Sequence, residues 1–466
     1  GADDRRDRRV RRGGRGGAPG VGLPTGADGA TLDRAPVNFP VTTSGGFTVS
    51  QTTDQSALYP PAPDTTWARF AGTVARQVVR RAATMCGITV GEGEDADLVL
   101  HRPGDFYRRL GTQGLVGFGE SYVAGDWDAA DLAGTLTKLC RKITGLLPPW
   151  LQRLGGLYSS RRPVWQKNTV TGAKRNISAH YDLSNDFFAT FLDEGLSYSS
   201  ALFDRPEGPG RGAVLAAAQD AKVERALDRA GVGGGTRVLE IGTGWGELAL
   251  HAARRDWNLS GLMDCHHYGW FPSQVTSVTL STEQAGLARE RIAAAGLSGL
   301  VDVQLCDYRE VTGTYDAVVS VEMIEAVGDE YWDEYMRVVH DRLVDGGRAV
   351  IQAITMDHAQ MLATKDAATW ITTYIFPGGV IPSVRALNES AVRAGLRPGM
   401  RRSFGRDYAE TLRRWDEAFL AAASTGEVQE LGFGSDFQRL WHFYLAYCEA
   451  GFACGYIDVG QLEYVR

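Results

Sequence analysis

The run Arg237-Val-Leu-Glu-Ile-Gly-Thr-Gly-Trp-Gly246 places one carboxylate and three glycines where an apolar segment ends and a helical pattern, Glu247 to Arg254, begins. That order reads as strand, tight turn and helix N-terminus. Glycines let the backbone approach a ligand closely, and a helix N-terminus favours negative charge. The spacing is not GxGxxG. Glu240 inside the motif suits a ligand that carries a cationic group rather than a pyrophosphate. A glycine turn that only closes an α/β unit is the alternative. Cys265, His266 and His267 invite a metal reading, but adjacent residues rarely converge on one ion and no second ligand cluster accompanies them, so no metal is expected.

Five segments must position this chemistry: strands at 236–242, 275–281, 301–307, 315–321 and 347–354, alternating with helices. Short connections and buried apolar runs imply an α/β fold with a parallel, doubly wound, Rossmann-like sheet. Ligands bind such sheets at the carboxyl ends of the strands. Glu240 to Gly246, Thr279 to Gln284, Cys306-Asp307-Tyr308, Glu322-Met-Ile-Glu325 and Gln352-Ala-Ile354 therefore belong on one rim.

The 466 residues carry a net charge of −7 and suffice for a large domain plus a smaller one. Residues 1–64 read as a disordered tail rich in Gly, Pro and Arg, without the apolar stretch of a secretory signal. Its arginines suit anionic lipid or nucleic acid; a solvated tail is the preferred reading, and no nucleic-acid partner is expected. Residues 65–145 are expected to form a small N-terminal domain. It opens with a helix whose buried face holds Phe70, Val74 and Val78, continues with a strand at Leu98–His101, and includes a turn-rich element from Gly114 to Asp128. Residues 132–167 interleave Leu and Trp with Lys138, Arg141 and Lys142, which suits either a membrane interface or an interdomain helix; the connector proper is 146–172. The main domain spans 173–466. Residues 256–274 are an atypical insertion, expected to loop out on the rim opposite the ligand. Six scattered cysteines imply reduced thiols and a cytoplasmic setting.

The pattern E-x-G-x-G-x-G resembles the first motif of S-adenosylmethionine (SAM) methyltransferases of class I. Four further strings narrow the resemblance: Ala173-Lys-Arg-Asn-Ile-Ser-Ala-His-Tyr-Asp-Leu-Ser-Asn-Asp-Phe-Phe188, Leu196-Ser-Tyr-Ser-Ser-Ala-Leu-Phe203, Val321-Glu-Met-Ile-Glu-Ala-Val-Gly328 and Tyr374-Ile-Phe-Pro-Gly-Gly379. Together they resemble the cyclopropane-fatty-acyl-phospholipid synthase family, which includes the mycolic acid cyclopropane synthases. The resemblance covers about 100–466 apart from the insertion.

That family adds the SAM methyl to a carbon–carbon double bond, and a base then takes a proton from the new methyl to close a ring. The resemblance implies bicarbonate as the base, held by Glu325, Tyr408, Ser200, Gln352 and the backbone of Ile354. Ser200 stands where many members have Cys, and Gln352 where many have His; both still hydrogen-bond an anion. For SAM it implies Tyr198, Ser199, Glu240, Gly242, Gly244, Trp245, Gly246, Thr279, Leu280 and Gln284, with Asp307 and Tyr308 near the adenine. His180 and Tyr181 are expected at the site entrance. The resulting expectation is an enzyme that forms cyclopropane rings in unsaturated phospholipid acyl chains at the inner membrane surface, as a peripheral protein, with a homodimer left open. A fatty-acyl C-methyltransferase giving methylene or methyl branches is the first alternative, and an inactive lipid-surface binding protein the second.

Overall fold

The computed structural model describes residues 62–142, 183–203, 211–255 and 271–466. The tail to residue 61, the connector, His180, Tyr181 and insertion residues 256–270 lie outside the described residues.

At the centre is a seven-stranded mixed sheet. Its strands are β4 (Arg237–Ile241), β5 (Gln274–Thr279), β6 (Val301–Leu305), β7 (Tyr315–Val321), β8 (Leu343–Met356), β9 (Arg397–Ser403) and β10 (Ile457–Val465), in spatial order β6-β5-β4-β7-β8-β10-β9. The five expected strands pair parallel. β9 and β10 were not expected, and β10 lies antiparallel to both of its neighbours. The sheet is therefore mixed rather than parallel throughout. β5 keeps register with β4 from Arg237↔Gln274 to Ile241↔Val278, so the strand that follows the insertion sits in the sheet.

Helices cover both faces, as buried parallel strands require. α5 (Arg211–Ala230), α6 (Glu247–Arg254) and α7 (Thr282–Ala294) pack with Val238, Val275 and Val319 on one side. α8 (Trp332–Arg342) and α11 (Val384–Arg393) cover Leu239, Ile241 and Ile351 on the other. A third core is aromatic. It is built by α4 (Asn185–Ala189), α10 (Trp370–Tyr374), α12 (Gly405–Thr425) and α14 (Ser435–Ala453).

The N-terminal segment joins that aromatic core. β1 (Val90–Gly91), β2 (Leu98–Leu100) and β3 (Trp127–Asp128) form a small sheet flanked by α1 (Thr66–Cys86), α2 (Pro103–Val123) and α3 (Leu132–Cys140). Trp127 and Phe106 pack with Phe443 of α14 in one cluster. Two expectations change here. α1 buries Ala68, Ala71, Gly72 and Ala75, not Phe70 and Val74, which are exposed. Small residues win because α2 approaches so closely: a Cβ on Gly111 would sit 2.4 Å from the Ala71 carbonyl. Residues 114–123 are helical after a kink at Gly114, rather than turn-rich. Their glycines serve close packing, since a Cβ on Gly119 would lie 2.4 Å from Trp370 Cδ1. α3 buries Leu132 and Leu136, and Lys138 pairs with Asp97 at 3.1 Å, so this described part of the basic–apolar stretch packs one face against its neighbours.

Candidate active site

The parallel strands deliver their C-terminal ends to one rim. After β4, Gly242, Gly244 and Gly246 take φ values of +101°, +51° and +90°. Only glycine adopts these freely. At Gly242 space is also lacking, because a Cβ would meet Met323 Cγ at 3.0 Å. Gly246 caps α6.

A cleft opens on this rim. Tyr198, Ser199, Glu240, Gly242, Gly244, Trp245, Thr279, Leu280, Gln284 and Tyr308 line it, together with Lys222, Glu322 and Met323. Ten of the twelve positions expected for SAM thus meet in one cavity. Gly246 and Asp307 are not part of the lining. Both carboxylate oxygens of Asp307 are held by Arg309, at 2.8 and 2.7 Å. Gln284 accepts from Thr279 Oγ1 at 3.2 Å. Glu240 is buried and accepts from Ser277 Oγ. Burial pushes its carboxyl up to about 8. An unpaired buried carboxylate is costly, so this group gains from a cation placed beside it.

Deeper in the site the structure assembles a second constellation around Glu322. Its Oε1 accepts from Ser200 N at 2.9 Å and from Gln352 Nε2 at 2.8 Å. Its Oε2 accepts from the Tyr408 hydroxyl at 2.7 Å. Glu322 follows β7 with φ +50°, a left-handed conformation rare outside glycine. Gln352 lies on β8 opposite Gln461 of β10, whose Nε2 donates to Gln352 Oε1 at 3.1 Å. That bond leaves the Gln352 NH₂ as a donor aimed at Glu322. Ser200 contributes its backbone N–H, while its hydroxyl donates to the Ala201 carbonyl. Lys222, fully enclosed, donates to Ser199 Oγ at 2.7 Å and faces Glu322 electrostatically. Burial raises the Glu322 carboxyl above its ordinary range, and Tyr408, Gln352, Ser200 and Lys222 hold the shift back. Burial beside Glu322 raises the Tyr408 phenol well above its usual value, so Tyr408 stays a donor.

Glu325 stands apart from that ring. It sits in a 3₁₀ turn, Ile324–Ala326, and Oε1 accepts from Ile354 N. Oε2 is buried and takes no hydrogen bond among the described residues. Burial first, and Glu322 second, push its carboxyl up to about 8. Of the residues expected around Glu325, only Ile354 bonds it; Tyr408, Ser200 and Gln352 bond Glu322. Sequence reasoning put Glu322 on the ligand rim without giving it a role, and did not single out Lys222. The signal for Glu322 was a second acid at the very end of a strand, on the ligand rim.

Tyr374-Ile-Phe-Pro-Gly-Gly379 leads up to Glu325. After α10 it turns at Gly378 (φ +79°), and Val380 N donates to the Glu325 carbonyl at 2.9 Å. The Tyr374 hydroxyl reaches Glu120 of α2 at 2.6 Å.

Comparison with known proteins identifies the family. The family described as mycolic acid cyclopropane synthetase matches residues 168–462. The tuberculostearic acid methyltransferase UfaA1 of Mycobacterium tuberculosis is 44% identical over 412 residues, covering 86% of this chain and 92% of that protein. The cyclopropane-fatty-acyl-phospholipid synthase of Escherichia coli K12 is 32% identical over 413 residues, covering 87% and 94%. Among solved structures, the mycolic acid cyclopropane synthase CmaA1 complexed with SAH and CTAB superposes with a TM-score of 0.53 at 28% identity, covering 66% of this chain and 99% of that one.

Proposed function

Because the chain belongs to the mycolic acid cyclopropane synthetase family and is a SAM-dependent methyltransferase, we propose that it methylates the double bond of unsaturated phospholipid acyl chains. The observation that carries this reading is one rim that holds both a cleft suited to SAM and, beside it, two enclosed carboxylates, Glu322 and Glu325.

The residues present fit SAM. The glycine turn admits a ligand close to the backbone, and Glu240 gains from a cationic neighbour. Gln284 and Thr279 offer groups for ribose hydroxyls, and Tyr308 an aromatic face. Bound there, SAM supplies an electrophilic methyl on a sulfonium. Methylation of an alkene leaves a cation on the acyl chain and a proton to remove. Phe188, Tyr198, Trp245 and Trp415 stand together beside the cleft, with Tyr198 stacked on Trp415 at 5.3 Å. Such walls exclude water that would trap the cation, and their faces stabilise positive charge. A carboxylate fixed in a dry site, as Glu322 is, adds electrostatic stabilisation.

Bicarbonate does not fit as expected. The N–H of Ser200, the amide of Gln352 and the hydroxyl of Tyr408, three donors it would need, are already committed to Glu322.

Of the two products, we favour a branched chain made by a hydride shift before proton loss. The relative named a methyltransferase shares 44% identity, against 32% for the relative named a cyclopropane synthase. The ring-forming reading is supported by Glu325, Tyr408 and Ile354, which match the pattern of ring-forming members. An inactive lipid-binding protein is the least supported reading, since the cleft and both carboxylates are intact.

Access to lipid is assigned to α1. It exposes Trp67, Phe70 and Val74, carries Arg69, Arg76, Arg80 and Arg81, and has no acidic residue. That composition suits a peripheral helix on an anionic leaflet. Among the described residues no helix is long and apolar enough to cross a membrane.

The test is incubation of the purified chain with SAM and vesicles of a monounsaturated phospholipid, followed by mass spectrometry of the acyl chains. The expected result is a gain of one CH₂. Mild catalytic hydrogenation then separates the products, because a methylene takes up hydrogen and a ring does not. Methylation of free fatty acid in strong preference to phospholipid would refute the proposed substrate.

A further inference from the structure

The reaction above requires a proton acceptor beside the acyl cation, and the geometry points to Glu322 as that base, a carboxylate built into the chain where a bound anion was expected. The inference rests on the methyl-transfer reading and adds to it the identity of the base.

Four observations carry it. Glu322 lines the same cleft as the glycine turn, so it faces the place where the methyl group is delivered. Its carboxylate is held by three donors from three separate parts of the chain: Ser200 ahead of α5, Gln352 on β8 and Tyr408 on α12. Such a ring fixes an anion's position in advance. Lys222, enclosed in the same cleft and hydrogen-bonded to Ser199 Oγ, adds an electrostatic pull on that carboxyl, although burial draws its own ammonium downward. Finally, Glu322 keeps a φ of +50°, where a glycine would be unstrained. Strain of this kind persists where the surroundings over-determine it, and it clusters at functional sites.

The two oxygens differ. Oε1 takes two donors, Ser200 N and Gln352 Nε2, which fill its lone pairs. Oε2 takes one, from Tyr408, and its second lone pair is the acceptor. In the step, a C–H bond of the transferred methyl breaks and its proton passes to Glu322 Oε2. The electron pair of that bond either joins the cationic carbon to close a ring or, after a hydride shift, forms the second bond of an exocyclic methylene. Charge balances, because the acyl cation and the carboxylate anion are neutralised together. The proton leaves to solvent when the cleft empties. Burial, by drawing the carboxyl upward from its ordinary range, improves its match to a base working near neutral pH.

The deciding experiment pairs two substitutions with bicarbonate as the probe. Glu322→Gln keeps the side chain in place and removes the base. Glu322→Gly empties the position, and glycine tolerates the backbone conformation, so folding and SAM affinity should be retained; calorimetric SAM binding checks both. The parent should turn over equally in bicarbonate-free and bicarbonate-supplemented buffer. Both variants should lose about 10²–10³ in rate. Added bicarbonate or formate should restore Glu322→Gly by at least about tenfold and leave Glu322→Gln unchanged. Line broadening of ¹³C-bicarbonate gives a readout independent of turnover: binding is expected to Glu322→Gly and not to the parent. Stoichiometric bicarbonate binding by the parent, or a parent rate that rises with bicarbonate, would overturn the inference. A parent that methylates no unsaturated lipid would instead refute the methyl-transfer reading, and the binding arm would still decide whether Glu322 fills the anion position.

Discussion

The phenol of Tyr408 donates to Glu322, with the oxygens 2.7 Å apart, and not to Glu325 three residues further on. The two carboxylates consequently live in different surroundings. Glu322 has three donors and Lys222 nearby, whereas Glu325 has one backbone donor and an enclosed, unpartnered oxygen. Pairs of acids whose environments differ in this way take different proton states and different roles. Near neutral pH, Glu325, drawn up to about 8, holds its proton.

Stability should report that proton. Glu325 titrates near 4.5 when unfolded and about 8 when folded. A carboxyl raised on folding contributes fully below pH 4.5, and the contribution is lost as pH rises through 8. Glu325→Gln removes the titration and keeps the shape. Between pH 5 and pH 8 the parent should lose stability relative to the variant, on the order of a few kcal/mol, in urea denaturation. Parallel pH profiles would contradict the assignment.

Glu240 should couple SAM binding to proton release. It too is raised to about 8, by burial. A sulfonium beside it favours the ionised form and lowers that value. Near pH 7, calorimetry in buffers of different ionisation enthalpy should find proton release on binding. Glu240→Gln should abolish the Glu240 share of that release; release identical to the parent would place Glu240 away from the ligand.

On α1, Trp67 and Phe70 are 55% and 60% exposed, so changing them to Ser should spare the fold. Burial of a large apolar side chain at a lipid surface is worth about 1.5–3 kcal/mol. The double variant should bind anionic vesicles at least about tenfold more weakly, largely independent of salt. Arg76→Gln with Arg80→Gln should weaken binding mainly at low salt. Unchanged sedimentation of the Trp67/Phe70 variant would remove α1 as the docking element.

Gly119→Ala tests the Tyr374–Gly379 segment from a distance. The added methyl meets the ring of Trp370, which is buried at the start of α10. Overpacking of this kind costs about 1–3 kcal/mol. Displacement of α10 also moves Tyr374 and the turn that bonds the Glu325 carbonyl. Turnover should therefore fall while SAM affinity stays at the parental level, and equal loss of both would indicate general unfolding.

The central fold was legible because parallel strands buried on both faces leave uninterrupted apolar runs, as Ala317 to Val319 and Ala349 to Ile351 do. β9 was not, since Arg397-Pro-Gly-Met-Arg-Arg-Ser403 is an exposed edge strand with no apolar alternation. The face of α1 was misjudged for a related reason. Large apolar side chains suggest a core, but the contact with α2 is set by Ala and Gly, which allow the two backbones to touch. Much of the cleft could be anticipated from strand ends; Gly246 and Asp307 fall outside its lining, and Arg309 holds the Asp307 carboxylate. The ring around Glu322 could not. It joins residues up to 208 positions apart, from Ser200 to Tyr408, and depends on a left-handed residue that no local propensity announces.

The most direct measurement uses SAM carrying a trideuterated methyl with a monounsaturated phospholipid, read by mass spectrometry of the acyl product. If a base in this site removes a proton from the transferred methyl, the product should gain CD₂ and keep two of the three deuterons, whether ring or methylene forms. A product that keeps all three would show that the proton is lost elsewhere on the acyl chain, and would contradict a base at Glu322 acting on the transferred methyl.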